Sequence, residues 1–320
     1  MILSIVLLLV GFVVLVYGAD KLVDAASGLA LNYGIPNIVI GLTIVAFGTS
    51  APEFVVNIFA SISGSSEIVL GNILGSNIFN ALGILGICAV MYPLTVKSNT
   101  TWIEIPMAFL AAIMVLILAS DFLLNSGSDD FLSMGDGLVM LMFFIIFIVY
   151  NITLAMKPGE ESDTVEVNKY TTGQAVLWIL IGLGGLILGG KLIVDNAVEL
   201  AINFGLSERV IGLTIVSIGT SMPELATSVA AVRKKKLDIA IGNVVGSNIF
   251  NIFFILGVSA IILPVPISEP NFTDIWMNIL GGLLLFVFIF TGKGRRLERW
   301  EGVLMLGLYV AYLAALILNW

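Results

Sequence analysis

The sequence contains no histidine and a single cysteine, Cys88, among 320 residues. The absence of histidine excludes histidine metal ligands, Ser-His catalysis and histidine proton relays. The lone cysteine excludes an intrachain disulfide. Chemistry inside this protein is therefore left to carboxylates, amides and hydroxyls.

Charged residues are also scarce, at 11% of the chain, whereas roughly a quarter of a soluble domain is charged. Apolar residues make up 59% and the mean hydropathy is +1.09. This composition excludes an ordinary soluble protein and a disordered one. The 14 basic residues are outnumbered by 22 acidic ones, so we expect no nucleic-acid partner. The sequence indicates no obligate protein partner.

Long apolar runs fill most of the chain. A bilayer core of roughly 30 Å needs about 20 apolar residues per helix. Because no basic segment precedes the first run, we expect a retained helix there and not a signal peptide. The fold class predicted is an all-α membrane protein with ten transmembrane helices, at about 2–30, 36–62, 67–92, 101–120, 134–156, 173–203, 208–232, 238–263, 273–291 and 299–319.

The chain repeats itself at an offset of 171 residues. GLTIVAFGTSAPE at 41–53 matches GLTIVSIGTSMPE at 212–224 in 10 of 13 positions, and GNILGSNIFN at 71–80 matches GNVVGSNIFN at 242–251 in 8 of 10. A duplication kept only for packing would preserve the apolar pattern, yet the best-preserved stretches contain the polar residues.

Each repeat holds five helices, an odd number, so the second copy must enter the membrane from the opposite side. The sequence therefore predicts a five-plus-five inverted repeat, an arrangement that secondary transporters use to alternate access around one central site. We expect repeats at 1–156 and 173–320 and a cytoplasmic linker at 157–172, which together form one transport domain.

The positively charged loop residues predict the orientation. Eleven Lys and Arg residues lie in odd-numbered loops, and only Arg209 lies in an even-numbered one. We therefore expect a multi-pass protein of the cell membrane with both termini extracellular. The eleven are Lys97, Lys157, Lys169, Arg233, Lys234, Lys235, Lys236, Lys293, Arg295, Arg296 and Arg299.

Each GTSxPE motif places one carboxylate inside an apolar run, Glu53 in the first half and Glu224 in the second. A charge in the membrane costs at least ~2.5 kcal/mol, which makes such a residue a functional candidate. Pro52 and Pro223 lack an N–H, so the helix is expected to break and expose main-chain carbonyls.

Hydroxyls and carboxylates at each break form an all-oxygen set, which suits hard cations such as calcium and sodium. Its side chains are those of Thr49, Ser50, Glu53, Thr220, Ser221 and Glu224. The alternative is structural, because Ser50-x-x-Glu53 also matches a capping box that restarts a helix. Capping alone would not explain a carboxylate at mid-membrane in both copies.

The GSNIFN motifs are helical and polar on one face. Asn72, Ser76 and Asn80 are spaced four residues apart, with Asn77 on their flank. Asn243, Ser247, Asn248 and Asn251 repeat the pattern. These amides are either ligands near the ion site or polar contacts that hold membrane helices together.

The remaining charges are predicted to be structural. We expect Asp20, Lys21 and Asp24 to pair with one another or to reach the membrane interface, and the same of Lys191, Asp195 and Glu199. Acidic residues near helix ends are expected to be solvated, namely Glu104, Asp121, Asp136, Glu298 and Glu301.

At these paired motifs the sequence resembles the sodium/calcium exchanger family of the cation/calcium antiporter superfamily, most closely its short prokaryotic members without a regulatory domain. The resemblance extends over nearly the whole chain. It implies a diamond formed by the second, third, seventh and eighth helices around the ions, across which the first and sixth helices slide.

The resemblance also implies the ligands. Glu53 and Glu224, with main-chain oxygens of Thr49 and Thr220, would bind calcium. Sodium would add the side chains of Ser50, Ser76, Ser221 and Ser247 and the carbonyls of Ala46 and Ser217. Asn80 and Asn251 would border the centre. Exchangers of this family often carry Asp at the position of Asn251, so two strong carboxylates are expected here instead of three.

The function implied is an antiporter, not an enzyme, that exchanges Ca2+ for Na+ by alternating access and carries no cofactor. Shared glutamate ligands would make calcium and sodium occupancy mutually exclusive. A proton/calcium exchanger and a potassium-dependent sodium/calcium exchanger remain alternatives. A cation channel fits less well, because a channel gains nothing from inverted halves. An intramembrane hydrolase also fits less well, because without histidine it could use only a carboxylate dyad, which would not explain why threonine and proline flank the carboxylate in both motifs.

Overall fold

The computed structural model describes residues 2–64, 66–120, 130–156, 170–203, 217–292 and 294–318. Most of the predicted linker and the beginning of the predicted seventh helix lie outside these residues. The helices of the first half are α1 (Ile2–Tyr33), α2 (Asn37–Ile40), α3 (Ala46–Thr49), α4 (Ala51–Ile62), α5 (Ser66–Ile78), α6 (Leu85–Met91), α7 (Ile105–Leu118) and α8 (Met134–Ala155).

The described helices of the second half follow the same order, except that the region corresponding to α2 lies outside the described residues. Its helices are α9 (Thr172–Asn203), α10 (Ser217–Thr220), α11 (Met222–Arg233), α12 (Leu237–Phe250), α13 (Gly257–Ile262), α14 (Glu269–Thr291) and α15 (Arg299–Leu318). Among the described residues, four π-helical segments continue the α-helices, π1 (Gly41–Val45), π2 (Phe79–Ile84), π3 (Thr100–Glu104) and π4 (Asn251–Leu256).

The protein is a helical, multi-pass membrane protein, as the sequence predicts. Within the described residues, eight helical segments are long and apolar enough to cross a bilayer, and a ninth span is formed if the bent pair Asn37–Thr49 and Ala51–Ile62 is taken as one. The predicted seventh span, 208–232, is described only from residue 217 onward.

Besides helices, the part of the chain that the structure describes contains four two-residue strands. β1 (Leu94–Thr95) pairs antiparallel with β4 (Arg296–Leu297), and β2 (Phe131–Leu132) pairs antiparallel with β3 (Val265–Pro266). The helical periodicity of the sequence could not reveal them, because each is a single pair of residues in a loop. They join loops of the first half to loops of the second.

Glycines bring α1 and α9 into close contact. A Cβ built on Gly18 would lie 2.8 Å from the carbonyl oxygen of Gly182, and one on Gly11 would lie 3.0 Å from that of Gly189. Small residues of this kind let membrane helices approach closely. Because residue numbers rise along α1 as they fall along α9, the two helices are antiparallel. The first helices of the two repeats therefore run in opposite directions, as an inverted repeat requires.

The described chain forms two compact units, and each contains segments of both halves. The first unit comprises Met1–Ala51, Tyr150–Val244 and Val310–Trp320, and the second comprises Pro52–Val149 and Val245–Tyr309. The unit boundary falls inside the first GTSxPE motif, so Ser50 belongs to the first unit and Glu53 to the second.

The aspartates of α1 do not pair with Lys21, although that pairing is one of the two outcomes expected for these charged residues. Asp20 and Asp24 do not pair with Lys21 but with Lys234, whose Nζ lies 3.3 Å and 2.9 Å from their carboxylates. Lys21 instead lies over the rings of Tyr17 and Trp178. In α9, Lys191 and Asp195 pair at 3.0 Å as expected. The partner of the aspartates comes from the loop after α11, a tertiary contact that spacing along α1 cannot indicate.

Two acidic residues near helix ends are buried, contrary to the prediction that they are solvated. Glu301 accepts a hydrogen bond from the main-chain N–H of Glu298 at 2.6 Å and another from the hydroxyl of Thr291. It thereby caps the first turn of α15. Glu104, at the end of π3, is buried as well. Burial depends on the helix face that a residue occupies, which its distance from the helix end does not indicate.

Candidate functional site

The helix carrying each GTSxPE motif is interrupted at the predicted place. Ser50 (φ −81°, ψ 9°) separates α3 from α4, and Ser221 (φ −90°, ψ 8°) separates α10 from α11. The helix axis bends by 47° at the first break. Pro52 and Pro223 are the second residues of the helices that follow, where a proline costs no helical hydrogen bond.

Both glutamates lie in the first turn of the helix after the break, Glu53 in α4 and Glu224 in α11. Both side chains are buried. The N-terminus of a helix favours negative charge, so each carboxylate lies where the helix dipole stabilises it. In the described chain Ser221 makes no side-chain hydrogen bond to the first turn of α11. The capping box proposed for Ser50 and Glu53 stays a prediction.

In the first unit a glutamate cluster is formed by Thr49, Ser50, Glu224, Ser228 and Asn243. The hydroxyl of Ser50 donates to Oε1 of Glu224 at 2.9 Å. Nδ2 of Asn243 donates to Oγ of Ser228 at 2.9 Å and to the main-chain oxygen of Glu224 at 3.2 Å. Oγ1 of Thr49 donates to Oδ1 of Asn243 at 3.0 Å. All five side chains are buried, so this hydrogen-bond network is shielded from water.

The second unit repeats one of these contacts. Nδ2 of Asn72 lies 3.4 Å from Oδ1 of Asn57, the residue one turn after Glu53. At the 171-residue offset this corresponds to the bond between Asn243 and Ser228. In both halves an asparagine of the GSNIFN helix is thus bonded to the helix that carries the glutamate. Asn72 and Asn243 therefore support the glutamate helices.

An asparagine cluster in the second unit comprises Asn77, Asn80, Asn248 and Asn251. Nδ2 of Asn77 donates to the main-chain oxygen of Asn248 at 3.2 Å, and Nδ2 of Asn248 donates to that of Asn77 at 3.3 Å. Nδ2 of Asn80 donates to Oδ1 of Asn248 at 3.0 Å, and Nδ2 of Asn251 donates to Oδ1 of Asn77 at 2.9 Å. The two halves contribute equivalent bonds, because each hydrogen bond donated by an asparagine of the first half is matched by one donated by the asparagine 171 residues later.

Three of the predicted ligand residues in the second unit have a buried side-chain oxygen with no hydrogen bond to any described residue. The atoms are Oδ1 of Asn80, Oδ1 of Asn251 and Oγ of Ser76. A buried polar atom without a hydrogen bond costs about 1–3 kcal/mol, so each calls for an explanation. Oxygen is the donor that hard cations prefer, so each of these atoms is available as a cation ligand.

The other predicted ligands are placed as follows. The carbonyl of Ala46 accepts the main-chain N–H of Ser50 at 3.0 Å and lies 3.2 Å from Oγ1 of Thr49. Thr220 and Ser247 are buried. Ser217 opens α10, but its side chain lies outside the described residues.

Asn57 and Ser228 are the residues that sequence reasoning missed. Each follows its glutamate by four residues and so shares that face of the helix. This spacing is a usable signal, since a polar residue one turn from a membrane-embedded carboxylate is unusual. Asn77 and Asn248 were recognised only as flanking residues, although the structure places them at the centre of the asparagine cluster.

The chemistry available is that of oxygen donors. Among the described residues, no three His, Cys, Asp or Glu side chains gather into a metal-binding group. The motifs instead combine single carboxylates with amides, hydroxyls and main-chain carbonyls, which suit calcium and sodium more than transition metals. Buried carboxylates in broken helices of an inverted repeat define a secondary transporter of cations.

Comparison with known proteins agrees with this class. The family model described as sodium/calcium exchanger protein matches residues 3–153 and 174–318. The chain is 37% identical to the inner membrane protein YrbG of Escherichia coli (strain K12), over 99% of this chain and 97% of that protein. It is 33% identical to the sodium/calcium exchanger MaX1 of Methanosarcina acetivorans, over 97% of each.

A solved structure of the sodium-calcium exchanger NCX_Mj has a TM-score of 0.84 and 32% sequence identity, and the match covers 98% of this chain and 99% of that one. The chain belongs to the sodium/calcium exchanger family. It is a membrane transport protein and not an enzyme. The predicted family and the predicted helical membrane fold are confirmed, and the count of ten transmembrane helices stays a prediction.

Proposed function

We propose that this protein exchanges Ca2+ for Na+ across the membrane by alternating access and that the two GTSxPE motifs hold the ions. The observation that carries the proposal is the hydrogen bond from Ser50 to the buried carboxylate of Glu224. It joins the GTSxPE motifs of the two repeats through the groups expected to bind cations. The membership of the family supports the same function.

The ligands we propose are those implied by the resemblance. Glu53 and Glu224 bind the transported cation, and calcium is completed by main-chain oxygens of Thr49 and Thr220. Sodium uses the same glutamates with the remaining oxygens of the motifs. These are the side chains of Ser50, Ser76, Ser221 and Ser247 and the carbonyls of Ala46 and Ser217, with Asn80 and Asn251 bordering the centre.

Shared carboxylates account for exchange. One calcium ion neutralises the two negative charges, and sodium ions do the same, but both use Glu53 and Glu224 and so cannot bind together. An empty site would leave two negative charges in the membrane without a counter-ion. A buried ion without its partner costs on the order of several kcal/mol. We therefore expect access to switch sides only when the site is occupied.

The experiment is sodium-driven uptake of calcium-45 into proteoliposomes. Glu53→Gln and Glu224→Gln keep the size of the side chain and remove its charge, so each should abolish uptake. Glu104→Gln is the matched control, because Glu104 is buried but lies outside both motifs. Near-normal uptake by either motif variant would refute the proposed site.

The counter-ion is tested in the same vesicles by imposing sodium, potassium and proton gradients one at a time. Uptake driven by sodium alone supports the proposal. Uptake that requires potassium as well, or that a proton gradient drives, would identify the potassium-dependent or the proton/calcium exchanger. Flux that needs no counter-ion would identify a channel.

For the orientation we propose that the odd-numbered loops are cytoplasmic and both termini extracellular. The support is the distribution of Lys and Arg residues, which favours the cytoplasmic side. Lys234 belongs to one of these loops, where it also binds Asp20 and Asp24 of α1. The predicted orientation does not depend on Lys234, because without it the basic residues of the odd-numbered loops still outnumber the one in an even-numbered loop.

A further inference from the structure

The asparagine cluster fixes which end of each amide is turned toward its neighbour. Asn80 donates through Nδ2 to Asn248, and Asn251 donates through Nδ2 to Asn77. Turning either amide over would bring two carbonyl oxygens together at about 3 Å, without a proton between them. Oδ1 of Asn80 and Oδ1 of Asn251 are thereby left without a donor in the described chain.

The orientation of Asn77 and Asn248 is fixed in turn. Their Nδ2 atoms donate to each other's main-chain oxygens, at 3.2 Å and 3.3 Å. A main-chain carbonyl is only an acceptor, so the facing end of each side chain must be its NH2 group. The Oδ1 of each therefore remains available for the amide of Asn251 or of Asn80.

We propose that Asn77 and Asn248 are positioning residues that present the carbonyl oxygens of Asn251 and Asn80 to the transported cation. The inference rests on the proposed function, since it needs a cation bound in this protein. It adds a role to two residues outside the proposed ligand set. It also gives a reason for an amide at position 251, where other exchangers often carry a carboxylate.

Only an amide at position 251 can both donate a hydrogen bond to Asn77 and offer an oxygen to the cation. An ionised aspartate at position 251 would place an oxygen about 2.9 Å from Oδ1 of Asn77, two acceptors with no hydrogen to share. An asparagine donates to Asn77 with one end and offers oxygen to the cation with the other. The cluster thus selects a neutral side chain and leaves the negative charge of the ion site to the glutamates.

A purely structural role of the cluster makes different predictions. If these amides only hold helices together, removing one should lower the unfolding temperature and leave the response to Ca2+ unchanged. If they orient ligands, removing one should weaken Ca2+ binding. Replacing the asparagine that it orients with a symmetric ligand should then restore Ca2+ binding. A carboxylate is such a ligand, because it presents oxygen in either orientation.

The test measures how Ca2+ raises the unfolding temperature of the purified full-length protein in detergent. Asn77→Ala should raise the Ca2+ concentration for half of the effect by about tenfold, the loss typical when a group that orients a metal ligand is removed. In the Asn251→Asp background, Asn77→Ala should cause little further loss. In this background the carboxylate at position 251 presents an oxygen in either orientation, so it needs no partner to orient it. Asn77→Ala also removes the repulsion between this carboxylate and Oδ1 of Asn77.

The second copy of the cluster provides a crossed control. Asn248→Ala should weaken Ca2+ binding to a similar extent, and Asn80→Asp should suppress that loss, whereas Asn251→Asp should not. Asn278→Ala removes a buried asparagine of the same unit that lies outside the cluster. It should leave the half-effective Ca2+ concentration unchanged.

Equal losses in the wild-type and Asn251→Asp backgrounds would overturn the inference, as would a lower unfolding temperature with an unchanged response to Ca2+. If one alanine variant fails to fold, its counterpart in the other half answers the same question. The thermal readout does not depend on the counter-ion. Absence of sodium-driven calcium uptake in the wild-type protein would therefore refute the proposed function, while the Ca2+ response of the variants would still decide the role of Asn77 and Asn248.

Discussion

The hydroxyl of Ser50 donates a hydrogen bond to Oε1 of Glu224 at 2.9 Å, and both side chains are buried. The two residues belong to different repeats of the sequence and to different GTSxPE motifs. Because the acceptor is a carboxylate, the bond is stronger than one between neutral groups. The third residue of one motif thus acts on the glutamate of the other.

Ser50→Ala should weaken ion binding. A hydrogen bond to a charged group contributes about 1.5–3 kcal/mol, which corresponds to a loss of roughly ten- to a hundredfold in affinity. The measurement is the Ca2+ concentration for half-maximal sodium-driven uptake. Ser50→Thr keeps a hydroxyl and should retain most of the activity.

Ser4→Ala is the matched control for this prediction. Ser4 donates to Oε1 of Glu199 over the same 2.9 Å, in the same unit but outside both motifs. Its removal should leave calcium uptake unchanged. If both variants lost uptake equally, the effect would reflect a general loss of stability and not the ion site.

Asn243→Ala should destabilise the protein. Asn243 bonds Thr49, Ser228 and the main chain of Glu224, so its loss leaves several buried groups without partners, at about 1–3 kcal/mol each. Thermal unfolding in detergent measures the loss, and an unfolding temperature equal to that of the wild-type protein would contradict the prediction.

Gly182→Ala should lower the unfolding temperature because it forces α1 and α9 apart. Its Cβ would lie 2.9 Å from the carbonyl oxygen of Gly18 and from Leu22. Gly184→Ala in the same helix is the control, because among the described residues no atom outside the adjacent backbone of α9 and the two chain neighbours lies within 4 Å of its Cβ. Alanine also favours the helix by about 1 kcal/mol over glycine, so the control should be neutral or slightly stabilising.

Labelling of single cysteines should establish the orientation. Cys88 is buried and is the only cysteine in the sequence, so Cys88→Ala provides a clean background. Ser63→Cys and Ser98→Cys place thiols at exposed positions before and after the third predicted helix. In intact cells an impermeant maleimide should label position 63 and spare position 98. The reverse pattern would place both termini in the cytoplasm.

Much of the fold could be predicted from the sequence, because a membrane leaves few choices. Backbone groups in lipid must bond within a helix, so apolar runs of sufficient length become spans. The repeats and the odd number of helices in each predicted the inversion, and the antiparallel glycine contacts of α1 and α9 agree with it. The helix breaks at Ser50 and Ser221 followed from prolines alone, which is local chemistry.

The tertiary structure decided which polar groups meet. Lys234 rather than Lys21 pairs with Asp20 and Asp24, and Glu301 is buried although it lies near a helix end. The hydrogen bond of Ser50 to Glu224 and the cluster around Asn77 join residues that lie in opposite halves of the sequence. Sequence spacing can place these residues on a helix face, but only the packing of the helices determines which face each one meets and, through it, which atom of an amide is left for an ion.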